Sequence, residues 1–255
     1  KWRWKFIVES VVALPLVLQA LFRATVVALY ASARNFSGRG PALAAAIVVS
    51  LGFSFQTLAL DLMADVPAAC LLFLATVVSF RAEERPRLWL LAGLLAGLAT
   101  STQQIGLLWI PAVLGASLLA RKKMNRFLVS GITICLAFPL VWAVWKLVHF
   151  GTAGDLLVRQ WGLVRFHLDA IPHYSWSFAS LLGLPAALLA LGGLLGTAKR
   201  CFSSREKGLS CLLLLGAAAF FVLLYDFTAK RFLIYLAGPA ALYLAEALAG
   251  ITNRA

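Results

Sequence analysis

Two aspartates lie four residues apart in a chain that is otherwise rich in hydrocarbon side chains. The stretch LALDLMADVPAAC, residues 58–70, contains Asp61 and Asp65. If the turn between them is helical, both carboxylates share a face, and such a pair can orient hydroxyls, bind a cation or act as a general base. Asp65 also precedes Val66 and Pro67, which makes it a natural helix N-cap. Both are therefore candidate catalytic residues, with a structural cap as the alternative reading of Asp65.

A pair of cations follows near the other end of the chain. Lys230 and Arg231 lie in the short polar segment DFTAKR between two apolar stretches. Lysine and arginine suit a phosphate or pyrophosphate by charge and geometry, so this pair is a candidate phosphate site. The alternative is that both side chains snorkel to lipid headgroups.

Three further residues are candidates for lining a substrate cavity. Gln103 lies in the polar stretch ATSTQQIG, and His173 and Tyr174 lie where an aromatic segment re-enters an apolar one. A surface histidine is most often merely solvated. No histidine or cysteine spacing matches a metal site, so no metal is predicted, although a carboxylate pair could bind a divalent cation.

The elements that must position these residues are membrane helices. The 255-residue chain is 62% hydrophobic and 13% charged, whereas soluble domains are about half apolar. Apolar runs near 20 residues recur along the whole length, which leaves no room for a separate soluble domain. The net charge of +13 is scattered through short loops, which excludes a nucleic-acid-binding surface and makes membrane lipids the expected surroundings.

The apolar pattern predicts an all-α, polytopic fold of about nine membrane helices in a single integral membrane domain, residues 1–255. A polar break divides one segment into a hairpin of two short helices, and residues 146–176 are predicted to form an interfacial insertion on the outer surface. The chain begins at Lys1, and we expect further sequence upstream. The predicted segments are 7–32, 41–60, 66–80, the hairpin 88–119, 127–145, 177–197, 209–225 and 232–250.

Loop charge predicts the orientation of these helices. With nine helices, the basic loops after the first, third, fifth and seventh predicted helices all fall on one side, which is cytoplasmic by the positive-inside rule. The aspartates, the polar break of the hairpin, residues 146–176 and the Lys230–Arg231 turn then face outward. The predicted location is a multi-pass position in the cell membrane, with the chemistry at the extracytoplasmic face.

The order of these motifs resembles the GT-C fold of lipid-dependent glycosyltransferases, particularly protein O-mannosyltransferases and the aminoarabinose transferases of lipid A. Residues 28–80 resemble a helix, a Gly-Arg loop, an Ala-rich helix and an outer turn with aspartate. Residues 88–119 resemble the family's Gly-rich hairpin, which usually carries Thr-Lys where this chain has Thr102 and Gln103. Residues 172–196 and 230–250 resemble the later aromatic re-entry and the Arg-bearing turn before a Pro-containing helix.

The resemblance implies inverting transfer of a sugar from a polyprenyl-phosphate carrier to an acceptor hydroxyl of a glycan, lipid or protein at the outer face. The donor is a lipid-linked sugar, and no other cofactor is implied. Asp65 would match a supporting acidic position, and Lys230 and Arg231 would meet the carrier phosphate. The family's outer loop with its catalytic acidic residue precedes the region present here, so the full-length protein is expected to be the enzyme.

Two other classes fit parts of the pattern. A secondary transporter or flippase would also keep buried carboxylates and broken helices, but the two halves of this chain show no internal repeat. A non-catalytic GT-C-like membrane subunit is the third possibility, which an upstream acidic loop would exclude.

Overall fold

The computed structural model describes residues 2–51, 65–151, 170–197, 205–219 and 234–252, without the side chains of residues 2–15 and of a few others, His173 among them. All regular secondary structure in these ranges is helical, and a short 3-10 helix, Gln104–Leu108, joins the fourth and fifth α-helices. The α-helices are α1 (Trp2–Ser37), α2 (Arg39–Leu51), α3 (Asp65–Arg81), α4 (Leu88–Thr102), α5 (Trp109–Leu119), α6 (Arg126–Phe150), α7 (Ala170–Leu182), α8 (Leu184–Thr197), α9 (Arg205–Ala219) and α10 (Ile234–Thr252).

The all-α class predicted from the sequence is confirmed for the described residues. Two of their helices, Arg126–His149 and Ile234–Thr252, are long and apolar enough to cross a bilayer. A bent pair, Tyr174–Ser180 with Leu184–Gly196, would make a third span if it crosses as one unit. Four further apolar stretches, Arg39–Leu51, Leu88–Thr102, Gln104–Leu119 and Lys207–Ala219, are shorter in the described ranges, so the count of nine stays a prediction.

The break predicted within residues 88–119 is present. Helix α4 ends at Gln103, whose backbone is extended at φ −150° and ψ 135°. Trp89 and Trp109 lie twenty residues apart, about 30 Å along an unbroken helix at 1.5 Å per residue. Their ring centroids are 6.3 Å apart, so the chain reverses direction between them, as the hairpin requires.

A second break was not predicted. Residues 177–197 were expected to form one span, but the structure divides this region into α7 and α8 at Gly183, whose φ is +81°. Glycine tolerates that left-handed conformation as a helix terminator, and Pro185 lies in the first turn of α8, where proline is favoured. The predicted span is therefore not one straight helix, and the two helices form the bent pair with an angle of 112°.

The ends of the predicted interfacial segment, 146–176, are also helical. Helix α6 continues through Phe150, and α7 begins at Ala170. The amphipathic stretch between them, residues 152–169, lies outside the described residues.

Helices α3 and α10 form the centre of the described structure. Helix α3 packs against α1 and α4, while α10 packs against α1, α2, α8 and α9. The first three turns of α10 are buried almost without interruption. These two helices therefore hold any side chain at their contact in a fixed position.

Glycines allow close helix contacts at several positions. A Cβ atom on Gly93 would collide with the backbone of Gly131, and one on Gly97 would collide with the ring of Phe138. Gly192 and Gly196, which have the same spacing in α8, both face open space among the described residues. Gly193 makes the contact instead, and its Cβ would collide with the carbonyl oxygen of Tyr243 in α10.

The described parts of the basic loops lie together at one end of the molecule, as the charge pattern predicted. The Phe36 and Phe80 rings pack edge to face at 5.7 Å, which joins the ends of α1 and α3. The Lys122 Nζ lies 3.9 Å from Glu83 Oε2, which joins the loops after α3 and α5. Lys207 forms a 2.8 Å ion pair with Glu246. The C-terminal part of α10 therefore lies at this end too, since Lys207 also lies over the Phe36 ring.

Candidate functional site

Asp65 is the first residue of α3 and lies at the end opposite the basic loops. It is 3% exposed and is the only charged residue that is buried among those the structure describes. Its place at the helix start agrees with the sequence prediction, because the helix dipole stabilises a carboxylate there. Burying a charge is costly unless it is hydrogen-bonded or paired, so the surroundings of Asp65 must provide polar partners.

Tyr235 provides one of these partners. Its hydroxyl donates to Asp65 Oδ1 at 3.3 Å, which is long for an O–H···O bond. Tyr235 lies in the first turn of α10 and is 5% exposed. The bond therefore ties the beginning of α3 to the beginning of α10.

An apolar groove lies beside this pair. Its empty space, including the part that is open to the surroundings, is about 620 Å³ and lies between α1, α3, α9 and α10, with contributions from α2 and the 3-10 helix. Tyr235 lines it, so the Asp65 carboxylate lies next to one of its walls. Most of the other lining side chains are aliphatic, and polar atoms come from Thr25, Cys70 and Thr76.

The hydroxyl groups around this groove are already used within their own helices. Thr25 Oγ1 donates to the Leu21 carbonyl, and Thr76 Oγ1 donates to the Leu72 carbonyl, both at 2.8 Å. Such bonds satisfy a hydroxyl in an apolar helix. The polar chemistry beside the groove therefore centres on Asp65 and Tyr235.

The structure describes the side chains of two of the three predicted cavity residues, Gln103 and Tyr174. Gln103 is half-buried at the break between α4 and the 3-10 helix, and Leu108 of that helix reaches the groove. Tyr174 is buried in α7 at 4% exposure. His173 lies in α7, but its side chain is outside the described part.

Three predicted site residues lie outside the described residues altogether. They are Asp61, Lys230 and Arg231. The carboxylate pair and the phosphate-binding pair therefore stay predictions. Among the described residues, no three His, Cys, Asp or Glu side chains lie together so as to hold a metal ion.

Tyr235 is the residue that sequence reasoning missed. It follows Arg231 by four residues in a stretch that was already singled out for its cations. A tyrosine in the first turn of an otherwise apolar helix is the signal that could have found it, since a buried tyrosine hydroxyl usually has a hydrogen-bond partner. The partner itself, Asp65, can be identified only from the folded structure.

The comparisons with known proteins agree with the resemblance noted in the sequence. No curated protein and no solved structure matches the chain. The family described as dolichyl-phosphate-mannose-protein mannosyltransferase matches residues 6–145, more than half of the chain and a region that includes Asp65 and the α4–α5 hairpin. The chain therefore belongs to this family of membrane glycosyltransferases of the mannosyltransferase type.

Proposed function

We propose that the chain binds a polyprenyl-phosphate mannose and takes part in transferring its sugar to a protein hydroxyl at the extracytoplasmic face of the cell membrane. The family description supports the type of donor and acceptor. The observation that carries the proposal is the buried Asp65–Tyr235 pair beside an apolar groove. A carboxylate next to a hydrocarbon-lined groove matches a ligand with a polar head and a long apolar tail.

The groove supplies affinity for the tail. Its walls are aliphatic and aromatic side chains of four helices. Burial of apolar surface contributes roughly 25 cal/mol per Å², so an isoprenoid chain gains affinity along its length without any specific polar contact. The headgroup is then held at the end where the polar residues are.

The carboxylates supply the chemistry at the headgroup. The acceptor oxygen attacks C1 of the sugar, the bond from C1 to the phosphate oxygen breaks, and its electron pair leaves with the polyprenyl phosphate. The acceptor proton passes to a carboxylate acting as general base. Asp65 and Asp61 are the candidate carboxylates of this chain, and Asp65 either receives the proton or orients the hydroxyls beside it.

The leaving phosphate needs positive charge. Lys230 and Arg231 come just before α10 in the sequence, four to five residues ahead of Tyr235. Cations near a departing phosphate stabilise the charge that develops in the transition state. On this assignment, the residues that bind the phosphate and the tyrosine that binds Asp65 lie within six consecutive residues, 230–235.

Substitution of Asp65 tests the proposal. Asp65→Asn keeps a polar side chain at the helix start, so the fold should persist while mannose transfer falls by about 10²-fold or more, the usual contribution of general base catalysis. Asp65→Ala should lose both transfer and stability. Transfer is measured with dolichyl-phosphate mannose and an acceptor peptide, and stability by thermal unfolding in detergent. Equal transfer by Asp65→Asn and the parent enzyme would leave Asp65 a structural cap.

A further inference from the structure

Tyr235 lies where α3 and α10 pack closely together. Gly238, one turn further along α10, lies so close to Phe73 of α3 that an added Cβ would collide with the phenyl ring. Residues 234–237 of α10 are all buried. This close approach of α3 and α10 brings the Tyr235 side chain within hydrogen-bonding distance of Asp65 in α3.

The Asp65 carboxylate needs such an external constraint. The terminal torsion of an aspartate side chain is broad, without sharp staggered minima. A hydrogen bond donated to Oδ1 restricts the rotation of the carboxylate plane. A tyrosine hydroxyl is suited to this task because it donates a hydrogen bond without placing a positive charge beside the negative charge of the carboxylate.

We propose that Tyr235 is a positioning residue that orients the Asp65 carboxylate towards the sugar headgroup. This inference rests on the proposed function, because it gives Tyr235 a role only through Asp65. The 3.3 Å separation is consistent with it, since catalytic hydrogen bonds are often long before substrate binds and tighten in the complex. The tyrosine ring itself belongs to the groove wall, so ring and hydroxyl have separable roles.

The hydroxyl is tested by Tyr235→Phe, which keeps the ring. We expect kcat for mannose transfer to fall about tenfold, the effect of losing a hydrogen bond to a charged group, with the KM for dolichyl-phosphate mannose unchanged. Tyr243→Phe is the matched control. Tyr243 is a buried tyrosine in the same helix, and its hydroxyl donates to the Lys207 carbonyl at 3.4 Å. This control should keep kcat within about twofold of the parent value.

A double-mutant cycle separates positioning from a merely structural role. In the Asp65→Asn background, Tyr235→Phe should lower kcat by less than about twofold, because the carboxylate that Tyr235 positions is already gone. An equal loss in both backgrounds would overturn the positioning role, as would wild-type kcat for Tyr235→Phe alone. Wild-type activity of Asp65→Asn would instead overturn the proposed role of Asp65 itself, so the two failures are distinguishable.

Discussion

At the scale of single residues, the desolvation cost of burying the Asp65 carboxylate is the strongest indication that this residue has a function beyond capping α3. A serine or asparagine could cap α3 at a lower desolvation cost, and ionisable groups at membrane depth usually face a cavity or a partner. The sequence predicted the position of Asp65 at a helix start, because Pro67 follows it. The sequence could not predict its bond to Tyr235, since the two residues are 170 positions apart and meet only through the packing of α3 against α10.

The predicted phosphate contact can be tested at the same scale. We expect Arg231→Gln to weaken binding of a polyprenyl phosphate to the purified protein by about ten- to a hundredfold, the range for a hydrogen bond to a charged group. Arg165→Gln is the control, because Arg165 is predicted to lie on the surface of an interfacial helix. The same prenol without its phosphate is the second ligand. Equal weakening of both ligands by Arg231→Gln, or of neither, would show that the arginine does not bind phosphate.

At the scale of helices, polar residues predicted one of the two helix breaks but not the other. The α4–α5 reversal was predicted because Ser101, Thr102, Gln103 and Gln104 interrupt an apolar run. The break at Gly183 lies in the uniformly apolar stretch SLLGLPAALL, so hydropathy carried no signal there. Glycine two residues before Pro185 was the available cue, since glycine ends helices and proline begins them.

The contact between α8 and α10 gives a prediction for this scale. Gly193→Ala should lower the stability of the purified protein by about 1–3 kcal/mol, because the new methyl group collides with the Tyr243 carbonyl and overpacking of a close contact has this cost. Gly192→Ala, on the open side of the same turn, should leave stability unchanged or raise it slightly. Thermal unfolding in detergent compares the two variants. Equal stability of both would mean that α8 and α10 are not packed through Gly193.

At the scale of the whole molecule, charge divides the structure into two ends. Basic loops, the Glu83–Lys122 contact and the Lys207–Glu246 pair lie at one end. Asp65 and Tyr235 lie together at the other end, where α3 and α10 begin. The loop charges predicted this grouping, because the positive-inside rule acts on each loop separately. Cysteine labelling can determine which of the two ends faces the cytoplasm.

We expect single cysteines at Arg85 and Lys122 to be shielded from an impermeant thiol reagent in intact cells, and cysteines at Asp155 and Thr228 to be labelled. The physical reason is the retention of Lys- and Arg-rich loops on the cytoplasmic side. Lys122 Nζ lies 3.9 Å from Glu83 Oε2, and Arg85 is in the same loop as Glu83, so positions 85 and 122 must give the same result. Labelling of both would place the basic end outside and reverse the proposed orientation. Labelling of only one would contradict the packing of the two loops, since a membrane cannot pass between side chains in contact.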